Sequence, residues 1–515
     1  MKRVFLFVVI ALAVLIFRFW MINNIGFTNI EHTLVYRSWS LSRFGLDEYG
    51  RKLPLLFGSA EGIQLPAVSY LSTPLTFVFG SNIMSEQILD FFFFLLPFFG
   101  SFLFGYGIGF ATLLTLNPIF FWPGTWEAKL VTVCLLALWK ILNHKKSNII
   151  LIISISILSL ATSFDAWFVI PLILLIGLFI KVKNGDQKKV GLAVLTILIV
   201  FALVVITKLD NNIANQLKSK YFNLNQDVSI LNSINNFRGE DLKMGFNISG
   251  RLLHNKLQYI PVIMGQSLSY LSPSFLFATG DKNSMSNSMW VPPLLSIYFL
   301  LILFSMFSPQ DKENKFLYIW ILAGVLLLGM MKFPQTEQKI YLIAIPLTLI
   351  IANQMKNLPG GIIFFIYPIA FLNLFFLGTI SGTVNSIYKE SCSIDMTQSI
   401  LKTVNSGAYT KISIADDICS DLGPGLAMLR SKKPSGVEGE FIQKNIRSIE
   451  NIKIISPKEI NLIDLSKTNV YILSKKQTDA IPDYLPKNRL VNKQLIYAGS
   501  NDDYSMYILS ADVKK

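Results

Sequence analysis

The chain has 515 residues, of which 52% are hydrophobic and only 15% charged, with a mean hydropathy of +0.49. Soluble domains carry about 25% charged residues, so a single soluble globule is excluded. The 46 Lys and Arg outnumber the 32 Asp and Glu, a net charge of +14, and in so apolar a chain this excess marks cytoplasmic loops rather than a nucleic-acid partner. Three cysteines give no disulfide framework, and three histidines leave little for a His-rich metal cage.

A basic start, Met1-Lys2-Arg3, leads into an apolar run from Val4 to about Phe19. No A-x-A-like cleavage site follows, and Arg18 and Trp20 read as an interface anchor, so an uncleaved first span is expected rather than a signal peptide. A polar stretch to about Asn82 is too rich in Arg, Asp and Glu to lie in lipid. Further apolar runs fall near 86–103, 105–121, 129–143, 148–162, 168–181, 190–207, 290–307, 316–332, 340–353 and 361–379. The expectation is an α-helical polytopic membrane protein with about eleven transmembrane helices.

Lys2/Arg3, Lys145-Lys146, Lys181/Lys183/Lys188/Lys189, Lys312/Lys315 and Lys356 fall on one side if the spans alternate. That side is the cytoplasm by the positive-inside rule. The outer side then receives loops 21–85, 122–128 and 208–289, the segment around Asp165, and the C-terminus. The chain reads as two domains, a transmembrane domain 1–384 and a small extracytoplasmic α/β domain 385–515, the latter from alternating runs such as Lys411–Ala415 and Asn469–Leu473. Cys392 and Cys419 in that domain pair or stay reduced with equal claim. Asp416-Asp417 reads as a strand-ending turn before it reads as a metal or acid pair.

The expected spans hold few ionisable residues, chiefly Asp90 and Lys140 near their ends, which argues against a conduction path. Polar and aromatic side chains concentrate instead in the first outer loop: Glu31-His32, Tyr36-Arg37, Trp39, Arg43, then Asp47-Glu48-Tyr49-Gly50-Arg51-Lys52-Leu53-Pro54. A catalytic site at the outer face fits this distribution. A solvated loop of amphipathic surface helices is the alternative.

The stretch Glu31 to Pro54, followed by Leu65-Pro66 and by Tyr70-Leu71-x-x-Pro74 with Phe79-Gly80, resembles the first outer loop of bacterial protein-O-mannosyltransferase-like (family 39 type) glycosyltransferases. These have the GT-C membrane fold and are related to lipid A aminoarabinose transferases. Asn117-Pro118 with Trp126-Glu127-Ala128 is similar to their second outer loop. Tyr270-Leu271-Ser272-Pro273 with Phe275-Leu276-Phe277 and Gly280-Asp281 is similar to a segment of the long third one. The resemblance spans about residues 1–380 in consistent order.

It implies transfer of a sugar from a polyprenyl-phosphate carrier to a glycan, lipid or protein acceptor at the outer face of a plasma membrane, with the N-terminus cytoplasmic. Such chemistry needs a base for the acceptor hydroxyl and cations for the departing phosphate. Three family positions differ: the catalytic Asp matches Ile30, the donor-phosphate Lys matches Gln64, and Asp281 is followed by Lys282-Asn283-Ser284 rather than R-H. Glu31 and Glu127 are therefore the candidate catalytic carboxylates, each with helix capping or a structural role as the alternative. Tyr36, Arg37, Lys52, Gln64, Arg238 and Asp281 are the candidate substrate-binding residues, with Arg43, Arg51 and Arg251 as further cations that could meet phosphate. A divalent metal ion is a candidate cofactor, with Glu31, His32, Glu61 and Asp281 as ligand candidates and no spacing to fix them. The lost positions keep a second reading open, a non-catalytic relative acting as a binding or scaffold subunit in cell-envelope glycan assembly.

Overall fold

The computed structural model describes residues 9, 12–21, 29–59, 62–121, 125–143, 148–183, 195–200, 202–203, 228–245, 257, 259–279, 292–307, 312–330, 340–355, 360–387, 411–415, 433–434, 448–449, 452–455, 469–474, 491–497 and 506–511. Packing divides the chain into two units, Met1–Trp20 with Phe92–Ser381, and Met21–Phe91 with Gly382–Lys515.

The first unit is helical. It contains α1 (Leu12–Met21, as far as Trp20), and the second unit contains α2 (Asn29–Phe44) and α3 (Ala67–Phe79). The long helix α4 (Ile83–Leu103) belongs to both, the division falling within it. The first unit continues with α5 (Ile108–Leu116), α6 (Pro118–Phe121), α7 (Trp126–Asn143), α8 (Ile149–Leu160) and α9 (Ala166–Lys183). After these come α10 (Val228–Lys243), α11 (Tyr259–Tyr270), a π-helical turn (Phe275–Thr279), α12 (Ser296–Phe307), α13 (Lys312–Gly329), α14 (Tyr341–Met355) and α15 (Gly360–Ile387). Among the described residues one helix, Met84–Leu103 within α4, is long and apolar enough to cross a membrane, and seven shorter apolar helices accompany it.

The packing of α8 identifies the surrounding solvent. Its buried residues are Ile152, Ser156 and Ser159, spaced four and three apart on one face. Its outward residues include Ile150, 71% exposed, and Ile157, 61% exposed. A helix in water would show the reverse. Small hydroxyl residues against protein and branched aliphatics outward is the distribution of a helix in lipid, where close approach rather than hydrophobic burial drives packing. Glycines serve that close approach elsewhere. A methyl group at Gly177 on α9 would stand 2.8 Å from the Leu142 side chain on α7, and one at Gly329 on α13 would stand 2.7 Å from the Ile263 carbonyl oxygen on α11.

The expected run 105–121 is not one helix. Asn117 adopts extended backbone (φ −65°, ψ 130°) because Pro118 disfavours the helical region for the residue before it, and this separates α5 from α6. The Asn117 amide donates to Thr348 Oγ1 on α14 at 2.9 Å.

Arg18 departs from its expected place at the interface. It is fully buried, its guanidinium donating to the Phe121 carbonyl and lying 5.2 Å over the Phe94 ring. Phe121 ends α6, so its carbonyl has no helical partner and accepts from the cation instead.

In the second unit a hairpin, β1 (Phe57–Ser59) and β2 (Gly62–Gln64), lies between α2 and α3. The chain's last part forms a six-stranded sheet of β3 (Lys411–Ala415), β4 (Ser448–Ile449), β5 (Ile452–Ile455), β6 (Asn469–Ser474), β7 (Val491–Tyr497) and β8 (Met506–Ala511), in the order β4-β5-β3-β6-β8-β7. β3 runs parallel to both β5 and β6, and the other pairs are antiparallel. Tyr471, Ile472 and Leu473 are all buried although neighbours on a strand face opposite ways, so both faces of β6 are covered. The strands at Lys411–Ala415 and from Asn469 lie where alternation places them.

Candidate functional site

In the second unit α2 carries Glu31 in its first turn, where an acidic side chain complements the helix's positive end. The helix stops at Gly45, whose φ of +67° suits glycine and whose amide donates to the Leu41 carbonyl at 2.9 Å. The loop that follows closes on itself. Asp47 Oδ1 accepts from the amides of Tyr49 (3.0 Å) and Arg51 (2.7 Å), Oδ2 accepts from Arg51 Nε (2.7 Å), and the Leu53 amide returns to the Gly45 carbonyl at 3.0 Å. The Asp-Glu-Tyr-Gly-Arg segment thus folds as an Asp-anchored turn, with Gly50 at φ +75°.

Glu48, the other half of that acidic pair, reaches back to α2. Arg37 Nε donates to Glu48 Oε2 at 2.9 Å, Nη2 donates to Oε1, and Nη1 donates to Gln64 Oε1 at 2.5 Å. The guanidinium lies 4.4 Å over the Phe57 ring. Arg37 and Glu48 are both buried, a two-pronged charge-assisted pair. Two candidate substrate residues, Arg37 and Gln64, are therefore brought together, with Glu48 as the counter-ion.

Five residues before Arg37, His32 Nδ1 lies 2.8 Å from Glu86 Oε1 near the start of α4, both side chains being buried. Burial alone would lower the imidazole pKa. The Glu86 carboxylate beside the ring, with the charge of Glu31, outweighs it and holds the pKa above the ordinary value of 6.5. His32 Nε2 has no hydrogen-bond partner among the described residues. Asp90, expected to reach an interface, is instead fully buried one turn beyond Glu86. Tyr36 is buried beside Trp39, ring centroids 5.9 Å apart, whereas Lys52 is exposed.

In the first unit Glu127 is half-buried in the first turn of α7. The residue before that helix, Thr125, has φ +54°, an outlier for a β-branched side chain and a form of strain that concentrates at functional sites. Glu127 and Asp165 both lie within electrostatic reach of the Tyr341 hydroxyl, which donates to Asp165 Oδ2 at 3.4 Å. Arg238 is exposed on α10. Asp281, Glu61, Arg251, Cys392, Cys419 and Asp416-Asp417 lie outside the described residues.

Glu86, Asp165 and Tyr341 are absent from the sequence-derived candidates. For Glu86 the available signal was a carboxylate at the head of an otherwise apolar helix, which is costly and so by default has a partner and a purpose. No group of three His, Cys, Asp or Glu gathers among the described residues as a metal would require, and His32 Nδ1 is taken by Glu86.

No family model and no curated protein matches the chain. Among solved structures, the chain is similar to ArnT from Cupriavidus metallidurans, in its crystal structure bound to undecaprenyl phosphate. The identity is 12% and the TM-score 0.48, with 100% of this chain and 98% of that one covered.

Proposed function

We propose that the protein is an integral membrane glycosyltransferase that moves a sugar from a polyprenyl-phosphate carrier to a glycan, lipid or protein acceptor at the outer face. The observation that carries this reading is the buried His32–Glu86 pair, with the charge of the buried Glu31 within electrostatic reach of the imidazole. Such a grouping can take a proton from an acceptor hydroxyl although Ile30 occupies the family's Asp position. Glu31 and His32 are the proton-accepting candidates, and Glu86 holds the imidazole through Nδ1 so that Nε2 is the basic edge. Glu127 with Asp165 and Tyr341 offers a second acidic cluster. Lys52 and Arg238, both exposed, are available to phosphate. In this reading the N-terminus is cytoplasmic, the domain 385–515 is extracytoplasmic, and the membrane is the plasma membrane.

A non-catalytic binding subunit is the second reading, and the engagement of Arg37 by Glu48 and of Gln64 by Arg37 within the fold favours it. The two separate in purified protein supplied with a panel of polyprenyl-phosphate sugars, following release of free polyprenyl phosphate. Release that collapses in Glu31→Gln or His32→Gln supports the transferase and places its base on α2. Collapse only in Glu127→Gln moves the base to α7. Donor binding without release from any donor supports the binding subunit.

A further inference from the structure

Four elements of the first unit meet around a half-open cleft of about 200 Å³: the turn between α4 and α5, the last turn of α7, the first turns of α13 and the last turn of α14. Its apolar lining includes Trp139 and Leu317, and its polar lining comprises Tyr106, Lys140, Asn143 and Asn353. Neither the acid clusters described above nor the proposed sugar transfer makes use of it.

Lys140 is the unusual member. A lysine in the last turn of a helix ordinarily hydrogen-bonds the terminal carbonyls or pairs with a carboxylate. Here Nζ makes no hydrogen bond and no ion pair with any described residue, and it lies over the face of Tyr106, 5.2 Å from the ring centroid. Tyr106 is itself held by its hydroxyl, which donates to the Leu136 carbonyl at 2.8 Å. The cation therefore lies on an aromatic face in the lining of a cleft that also presents the side-chain amides of Asn143 and Asn353 and the apolar Trp139 and Leu317.

We propose that this cleft binds a phosphate monoanion, supplied by the headgroup of an anionic lipid. Basic pockets between transmembrane helices take such headgroups. The Lys140 ammonium would meet the phosphate, Asn143 and Asn353 would donate to its oxygens or to the glycerol, and Trp139 and Leu317 would contact the first acyl carbons. The volume suits a headgroup rather than a drug-sized ligand, which fills roughly 300–1,000 Å³. The proposal does not depend on the glycosyltransferase reading.

The test is a titration of the full-length protein, in a neutral detergent, with short-chain phosphatidylglycerol, short-chain phosphatidylcholine and inorganic phosphate in separate arms. Phosphatidylglycerol should bind saturably and better than phosphatidylcholine. Lys140→Gln should weaken it about fivefold, the worth of one lysine charge at an anionic lipid surface, and Lys140→Arg should restore it. Inorganic phosphate saturating as well as the lipid, with the same dependence on Lys140, would keep the phosphate site but assign it to the free ion. Absence of saturable binding, or phosphatidylglycerol affinity equal in wild type and in a Lys140→Gln variant of unchanged melting temperature, would overturn the proposal.

Discussion

Replacing Glu48 by Gln tests whether the Arg37 guanidinium is a structural member of the fold or a group held ready for phosphate. The substitution leaves a buried cation without its counter-ion while keeping the side-chain volume. Removing one partner of a buried pair costs about 3–5 kcal/mol, because the remaining charge stays desolvated. Arg37 keeps its hydrogen bond to Gln64 and the Phe57 ring in this variant, so the lower end, about 3 kcal/mol, applies. That corresponds to about a hundredfold in a local opening equilibrium.

The assay is amide hydrogen exchange of the full-length protein in nanodiscs, read over residues 29–59. Exchange there should accelerate about a hundredfold in Glu48→Gln. It should return most of the way to wild type in Arg37→Met combined with Glu48→Leu, since an apolar pair of similar volume commonly replaces a buried ion pair at little cost. Unchanged exchange in Glu48→Gln, or a double variant no better protected than the single one, would refute the structural assignment and return Arg37 to the donor.

Two further outcomes follow from the packing. Because Glu86 and Glu31 raise the His32 pKa against the effect of burial, the stabilisation from this pair is fully present below pH 6.5 and is lost as pH rises through the folded value. Glu86→Gln should drop the His32 pKa below 6.5, measured by NMR of ring-labelled histidine, and protection of α2 should then no longer fall between pH 6 and 8. An unmoved pKa would show that the contact does not set it. The glycines separate by the space around them. Gly329→Ala should lower the melting temperature, since the new methyl meets the Ile263 backbone oxygen at 2.7 Å and overpacking costs about 1–3 kcal/mol. Gly239→Ala on α10, with nothing within 4 Å, should raise stability by up to about 1 kcal/mol.

Element positions are legible because hydropathy is a local property. The apolar runs near 86–103, 129–143 and 340–353 coincide with α4, α7 and α14, and the alternation in Lys411–Ala415 coincides with β3. The Asp-Glu pair at 47–48 finds its partners within eleven residues of sequence, Asp47 in Arg51 and Glu48 in Arg37. Partnerships across elements leave no local trace. Nothing at His32 announces Glu86, because the two side chains meet only in the folded chain. Asp90 and Arg18 look like interface residues when judged by distance from a span's end, yet both are buried, because neighbouring elements cover the ends of their helices. The break at Asn117 lies between the two: Pro118 is visible, but hydropathy windows average across it.

The buried arginine of α1 has a consequence for biogenesis. Arg18 finds its carbonyl partner 103 positions later in the chain. At about 5–20 residues per second, the ribosome delivers Phe121 roughly 5–20 s after Arg18. During that interval the guanidinium lacks its carbonyl acceptor, and Arg18, next to the end of the apolar run Val4–Phe19, can hold it in the hydrated region at the end of the helix. The aromatic seat formed by Phe94 and Phe121 closes over that side chain only once α6 has been made.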